Sequence, residues 1–221
     1  MKDALLDLLY PRECAGCGTR IAEAGRLAFC PGCDGHLEWI APPSCPRCGA
    51  SLAGERCGEC EGRDFRFAGA VALGKYDGRL RDYLLVLKFR GGRYLADEFG
   101  RRLAERIDRK FDLVVPVPMS RWKLLFRGYN AAALVAERLA RHAGLPFRSQ
   151  GIRKIRRTKP QAELEREERL QNPKGAYRAS AVRGSVLLVD DVLTTGATAN
   201  ACTEALLAAG ASEVRVAVVA R

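Results

Sequence analysis

The residues with the clearest chemical purpose lie in one run, Asp190-Asp191-Val192-Leu193-Thr194-Thr195-Gly196-Ala197-Thr198. Two adjacent carboxylates can accept hydrogen bonds from vicinal hydroxyls, or hold a magnesium ion through water. Thr194, Thr195 and Thr198 add hydroxyl donors, and Gly196 lets the backbone approach a ligand closely. The run Val186-Leu187-Leu188-Val189 ahead of the acids reads as a buried strand, and Ala199 to Ala209 as a helix stopped at Gly210. A strand, loop and helix in that order aim backbone N–H groups and a helix N-terminus at one point, which suits a phosphate. The ligand implied is a sugar phosphate with a neighbouring diol. A strand ending in a threonine-capped turn is the plainer alternative, but capping needs neither paired acids nor Thr-Thr-Gly.

A second chemical constellation occupies the amino-terminal quarter. Eight of the nine cysteines fall in pairs two residues apart: Cys14/Cys17, Cys30/Cys33, Cys45/Cys48 and Cys57/Cys60. That spacing presents two thiolates to one tetrahedral metal, with zinc the default. The simplest ligation is sequential, with Cys14, Cys17, Cys30 and Cys33 on one ion and Cys45, Cys48, Cys57 and Cys60 on another; spacing also permits an interleaved arrangement. All four positions of each ion are filled by cysteine, so the zinc is structural and His36 is left as a surface or packing residue. Leu37, Trp39 and Ile40 supply a small apolar core or the seam between the two halves. Cys202 sits inside the helix that follows the phosphate loop and reads as a small buried hydrophobe.

Length and charge bound the rest. The chain has 221 residues, 48% of them hydrophobic, enough for one ordinary domain and a small module. Residues 1–62 are expected to form an amino-terminal helix and the zinc module, and 63–221 the ligand-binding domain, with polar Glu61 to Asp64 as the boundary. The formal net charge is +11; eight thiolates and two zinc ions lower it to about +7, which still favours phosphates or nucleic acid. Acidic residues interrupt the apolar pattern of Met1 to Leu9, so it reads as a short amphipathic helix and not a secretion signal. With no apolar run of bilayer length, a cytoplasmic location without membrane insertion is expected.

A second strand–loop–helix unit is also expected. Leu113 to Val117 reads as a strand, and Asn130 caps a helix from Ala131 to His142 that closes at Gly144. The loop between them carries Arg121, Lys123 and Arg127, which suit pyrophosphate, although a cluster of solvated cations is the plainer reading. Lys88, between an apolar run and a glycine pair, is a further candidate for an anionic ligand. Phe67 to Tyr76 reads as a strand, Leu80 to Phe89 and Leu95 to Ile107 as helices, and Ser149 to Ile155 as a short strand. The charged stretch from Arg156 to Tyr177 reads either as a lid, with Arg157 and Lys159 neutralising departing pyrophosphate, or as a solvated face.

The run at Asp190 resembles the phosphoribosyl-pyrophosphate (PRPP) motif of type I phosphoribosyltransferases. Beyond it, the whole chain is similar to the ComF/GntX family of competence-associated, phosphoribosyltransferase-like proteins with an N-terminal double zinc ribbon. The matching stretches are Pro11 with Cys14-Ala15-Gly16-Cys17-Gly18, Ala41-Pro42-Pro43-Ser44-Cys45-Pro46-Arg47-Cys48-Gly49, Tyr76-Asp77-Gly78 and Leu87-Lys88-Phe89. Further on they are Val115-Pro116-Val117-Pro118, Arg127-Gly128-Tyr129-Asn130, Arg157-Thr158-Lys159-Pro160-Gln161, Arg169 and Asn172. Tyr129 and Tyr177 stand where the family pattern has phenylalanine. The resemblance implies an α/β fold with a Rossmann-like parallel sheet covered by helices on both faces. It also implies PRPP or ribose-5-phosphate as ligand, with Asp190 and Asp191 on the ribose hydroxyls and Thr194, Thr195, Gly196, Ala197 and Thr198 on the 5′-phosphate. Magnesium would accompany PRPP. The family's link to DNA uptake in natural transformation implies single-stranded DNA and other uptake proteins as partners. The readings left open are a phosphoribosyltransferase of unstated acceptor, with Asp190 as a weak base; a nucleic-acid adaptor that senses PRPP without turnover; and a nucleobase-salvage enzyme. Salvage needs a base-stacking aromatic from Phe67, Tyr76, Tyr83, Phe89 or Tyr94.

Overall fold

The computed structural model describes residues 13–21, 28–52, 54, 56–107, 111–156, 173 and 175–221. The expected helix over Met1 to Leu9 and the loop bearing Arg157 and Lys159 lie outside the described residues.

Four parallel strands form the central sheet in the order β1 (Gly69–Gly74), β6 (Glu213–Ala220), β5 (Ser185–Val192) and β2 (Leu113–Pro116). Val186 to Val189 of β5 are buried without interruption because parallel neighbours flank the strand and helices cover both of its faces. The period of two divides them: Leu187 and Val189 join one core cluster, and Val186 and Leu188 the other. On the first face lie α2 (Gly78–Phe89), α3 (Leu95–Arg106) and α5 (Ala131–Ala143). Gly100 of α3 meets the backbone of Arg138 and Leu139 of α5 so closely that a β-carbon there would come within 2.7 Å of the Leu139 nitrogen. On the second face lie α6 (Ala197–Ala208) and the antiparallel hairpin of β3 (Ile152–Lys154) with β4 (Tyr177–Ala179).

Two segments depart from the sequence expectation. The stretch between β2 and α5 is expected as a loop, but its cations stand on a helix, α4 (Arg121–Arg127). Ser120 caps it by accepting from the Lys123 N–H, and Gly128 ends it in the left-handed conformation. The 121–127 heptad has no buried residue, so no apolar stripe announces a helix. The phosphate-loop helix also begins at Ala197, two residues earlier than expected.

The cysteine-bearing region covers the outer edge of the sheet. A short helix, α1 (Pro31–Gly35), begins directly after Cys30. Beyond it Trp39 forms an antiparallel bridge with Gly74 of β1, the Ile40 N–H donates to the Leu73 carbonyl, and the Lys75 N–H donates to the Glu38 carbonyl. Trp39 and Ile40 therefore form a seam with the sheet as well as lying between the two halves of the module. Among the described residues, no helix is long and apolar enough to cross a membrane.

Candidate functional site

The eight paired cysteines gather as two groups in sequential order, Cys14/Cys17/Cys30/Cys33 and Cys45/Cys48/Cys57/Cys60. A tetrahedral zinc with Zn–S bonds of about 2.3 Å sets its sulfurs about 3.8 Å apart. The observed Sγ–Sγ separations of 3.7 Å (Cys17–Cys30), 3.6 Å (Cys45–Cys60) and 3.5 Å (Cys48–Cys57) fit that ion. The N–H groups of Gly16 and Cys30 also point at the Cys14 sulfur, at 3.3 and 3.2 Å, as a thiolate requires. His36 is exposed and belongs to neither group. Cys202 is fully buried in the α6 face, and burial raises its thiol well above the ordinary range.

At the carboxyl edge of the sheet, β5 delivers Asp190 and Asp191 to the rim of a crevice of about 830 Å³. The loop Thr194 to Thr198 forms one wall. Gly196 takes φ +81°, a left-handed turn that opens α6, and Thr195 Oγ1 accepts from the Ala197 N–H. Lys88 reaches across from the end of α2 and places its Nζ 2.9 Å from Asp191 Oδ1, with both side chains largely buried. Asp190 has less compensation. Burial and the neighbouring Asp191 push its carboxyl up to about 8, against the opposing pull of the Asp191 N–H and Lys88.

The facing wall comes from the β2–α5 connection. Lys123 and Arg127 line the crevice with Trp122 and Asn130, whereas Arg121 is not among the lining residues. Several contacts fix this wall. The Asn130 side chain donates to the Val117 carbonyl and accepts from the Ala132 N–H, at 2.9 and 3.1 Å. The Tyr129 hydroxyl donates to the Leu87 carbonyl at 2.5 Å, next to Lys88. The Arg127 guanidinium stacks on Phe89 at 4.2 Å.

Sequence reasoning missed several lining residues, among them Trp122 on α4. Lys154 and Tyr177 come from the β3–β4 hairpin, and Met119 from the turn after β2. Burial, helped by Lys123, holds the Lys154 ammonium below its usual range, and burial raises the Tyr177 phenol. A three-residue strand carries too little periodicity to place them. Of the five candidate stacking aromatics, Tyr76 lines the crevice, Phe67 and Tyr83 are buried in the core, and Phe89 and Tyr94 are exposed.

These features define a class: a phosphoribosyltransferase fold carrying two four-cysteine metal knuckles. The family model for the double zinc ribbon domain matches residues 5–61, and that for the phosphoribosyl transferase domain matches residues 99–221. Competence protein F of Haemophilus influenzae is 28% identical over 219 residues, covering 92% of this chain and 93% of that protein. DNA utilization protein YhgH of Salmonella typhi is 31% identical over 216 residues, covering 92% of this chain and 87% of its own. Its Escherichia coli K12 counterpart is 29% identical over 221 residues, covering 95% and 96%. The chain belongs to the family of competence protein F, ComFC and YhgH.

Proposed function

We propose that the chain binds PRPP and transfers its phosphoribosyl group to an acceptor in the service of DNA uptake or DNA use. The observation that carries this reading is the acid pair and the Thr-Thr-Gly loop, side by side in one crevice at the carboxyl edge of a parallel sheet. Asp190 and Asp191 hold the ribose 2- and 3-hydroxyls, and Lys88, paired with Asp191 at 2.9 Å, orients it. The loop Thr194 to Thr198 holds the 5′-phosphate through N–H groups and hydroxyls. Lys123 and Arg127 on the facing wall neutralise the pyrophosphate; Arg157 and Lys159, proposed for the same task, lie outside the described residues. Magnesium, when bound with PRPP, would be held by Asp190 and Asp191 through water and would neutralise charge on the phosphates. The acceptor displaces pyrophosphate at the anomeric carbon: the C1–oxygen bond breaks, the acceptor–C1 bond forms, and the electron pair leaves on pyrophosphate. Positioning and charge stabilisation then supply most of the catalysis. Asp190 is our candidate weak base: in its ionised form it would take the acceptor's proton.

Calorimetric titration of PRPP tests the assignment. Asp190→Asn with Asp191→Asn should weaken binding at least tenfold, and unchanged affinity would refute it. A screen of bases and nucleotides with pyrophosphate release as readout identifies the acceptor.

A second reading, a single-stranded nucleic acid along the rim, is favoured by α4. Its sequence Arg121-Trp122-Lys123-Leu124-Leu125-Phe126-Arg127 exposes Trp122 (58%) and Phe126 (90%) among three cations, with Phe89 (59%) beside Arg127. Aromatic faces between cations are the surface on which unpaired bases stack. Affinity for a single-stranded oligonucleotide should fall steeply with salt and fall further in Trp122→Ala with Phe126→Ala; a flat salt response removes this reading.

A further inference from the structure

The two four-cysteine groups are not equivalent with respect to the crevice. The second group runs straight into the phosphate loop. Glu59 lies between Cys57 and Cys60 on the short 3-10 turn Gly58–Cys60. Its carboxylate holds Arg63 Nη2 at 3.3 Å. The other arm of the same guanidinium, Nη1, donates to the Thr194 carbonyl at 2.9 Å. The next residues continue the clamp. The Asn200 side chain donates to the Asp64 carbonyl at 2.8 Å and accepts from the Arg66 N–H at 2.9 Å. Phe65 lies over Gly196, where a β-carbon would come within 2.6 Å of its ring. Three positions of the segment 194–200 are thus fixed by residues 63–66.

A fourth residue ties this assembly to the metal. The Arg221 side chain is 5% exposed, and its three guanidinium nitrogens make no hydrogen bond among the described residues. Its nearest acid there is Glu59, at 3.5 Å, which lies between the ligands Cys57 and Cys60. A buried cation in this position matches a centre that carries two negative charges when four thiolates hold zinc.

The geometry has a direct consequence for the loop. In a trans peptide the C=O of one residue and the N–H of the next point in opposite directions. Arg63 holds the Thr194 carbonyl toward the ribbon, which turns the Thr195 N–H away from it.

We infer that Glu59, Arg63 and Phe65 are positioning residues that join the second four-cysteine centre to the phosphate loop, so that metal occupancy there and sugar-phosphate binding in the crevice stabilise each other. The inference rests on the reading of Thr194 to Thr198 as a phosphate site. By reciprocity, the ligand must tighten the metal by the same factor as the metal tightens the ligand, and a tighter metal is read here as slower release.

The test uses the full zinc-loaded chain with ribose 5-phosphate as probe. Transfer of zinc to a chromophoric chelator is followed with and without the sugar phosphate, and affinity is measured by calorimetry. Saturating ribose 5-phosphate should slow the release of one of the two ions roughly 5- to 50-fold, and Cys57→Ser should remove that phase. Arg63→Ala should still bind two zinc ions, lower ribose 5-phosphate affinity about 5- to 10-fold, and abolish the slowing; Arg63→Lys should restore part of it. Asn200→Ala, which leaves Arg63 in place, should keep the slowing. If ribose 5-phosphate binds but neither release phase responds, or if Arg63→Ala binds it as the parent does, the linkage is overturned. If the parent chain shows no ribose 5-phosphate binding, the phosphate reading fails and the linkage with it.

Discussion

The two zinc ribbons share a ligand set but dock on opposite kinds of surface. The first packs on the helical face, away from the crevice, around a buried acid. Glu98 of α3 is 1% exposed; it accepts from Arg101 and Arg102 at 2.8 and 2.5 Å and from the Ala28 N–H at 3.3 Å. Arg102 passes the contact on to Asp34, which also accepts from the Trp39 indole, and its guanidinium stacks on that ring. Among the described residues, the second ribbon has no such buried acid at its seam; Arg221 is buried there, but Glu59 and Arg63 keep part of their surface in water and lead to the Thr194 loop. A ribbon anchored in the core can only hold the structure up. A ribbon anchored on a loop can also set that loop's geometry.

Three changes would break or sharpen this contrast. Removal of Glu98 has the largest expected effect. Stripping one partner from a buried ion network costs about 3–5 kcal/mol. Because Arg101 and Arg102 keep some exposure and can rehydrate, about 3 kcal/mol is expected for Glu98→Ala in denaturant unfolding, with ribose 5-phosphate affinity unchanged. A loss of affinity equal to that of Arg63→Ala would erase the distinction between the ribbons.

Next in size is a pH effect at the crevice. The Asp190 carboxyl rises from 3.8 to about 8 on folding, so between those values the folded chain keeps a proton that the unfolded chain has released. Its stabilising contribution is complete below about pH 4 and is lost as pH climbs through 8. Ligand-free Asp190→Asn should lose clearly less stability than the parent between pH 5 and pH 8, read as melting temperature. Parallel curves would show that the acid is already ionised.

Asn200→Ala has the smallest effect, about 1 kcal/mol, since it exchanges two partly hydrated hydrogen bonds at the ribbon–loop seam. Proteolysis or hydrogen exchange should report it in segment 194–200 and leave the α3 seam untouched; protection lost equally at both would mean that the ribbons dock as one body.

What the sequence made legible follows from how local each signal is. The run from Val186 to Thr198 is one continuous motif, and its order of strand, acids and loop is as expected, although β5 runs on through both acids to Val192 and α6 opens at Ala197. The cysteine pairs likewise named both metal groups, and folding resolved their partition as sequential. The misses are long-range. Glu61 to Asp64 reads as a polar boundary, yet Arg63 and Asp64 grip residues about 130 positions away, and no local pattern encodes that contact. The helix at Arg121 escaped because periodicity reveals only helices with a side to bury, and this one has none. Lys154 and Tyr177 arrive on a hairpin too short to show alternation.

The bridge between Trp39 and Gly74 bears on how this protein fails. An outermost strand with free amides and carbonyls invites pairing with other molecules. Here the chain that hides the rim of β1 is shaped by the cysteine groups, so a protein stripped of zinc would uncover a sticky border and tend to clump.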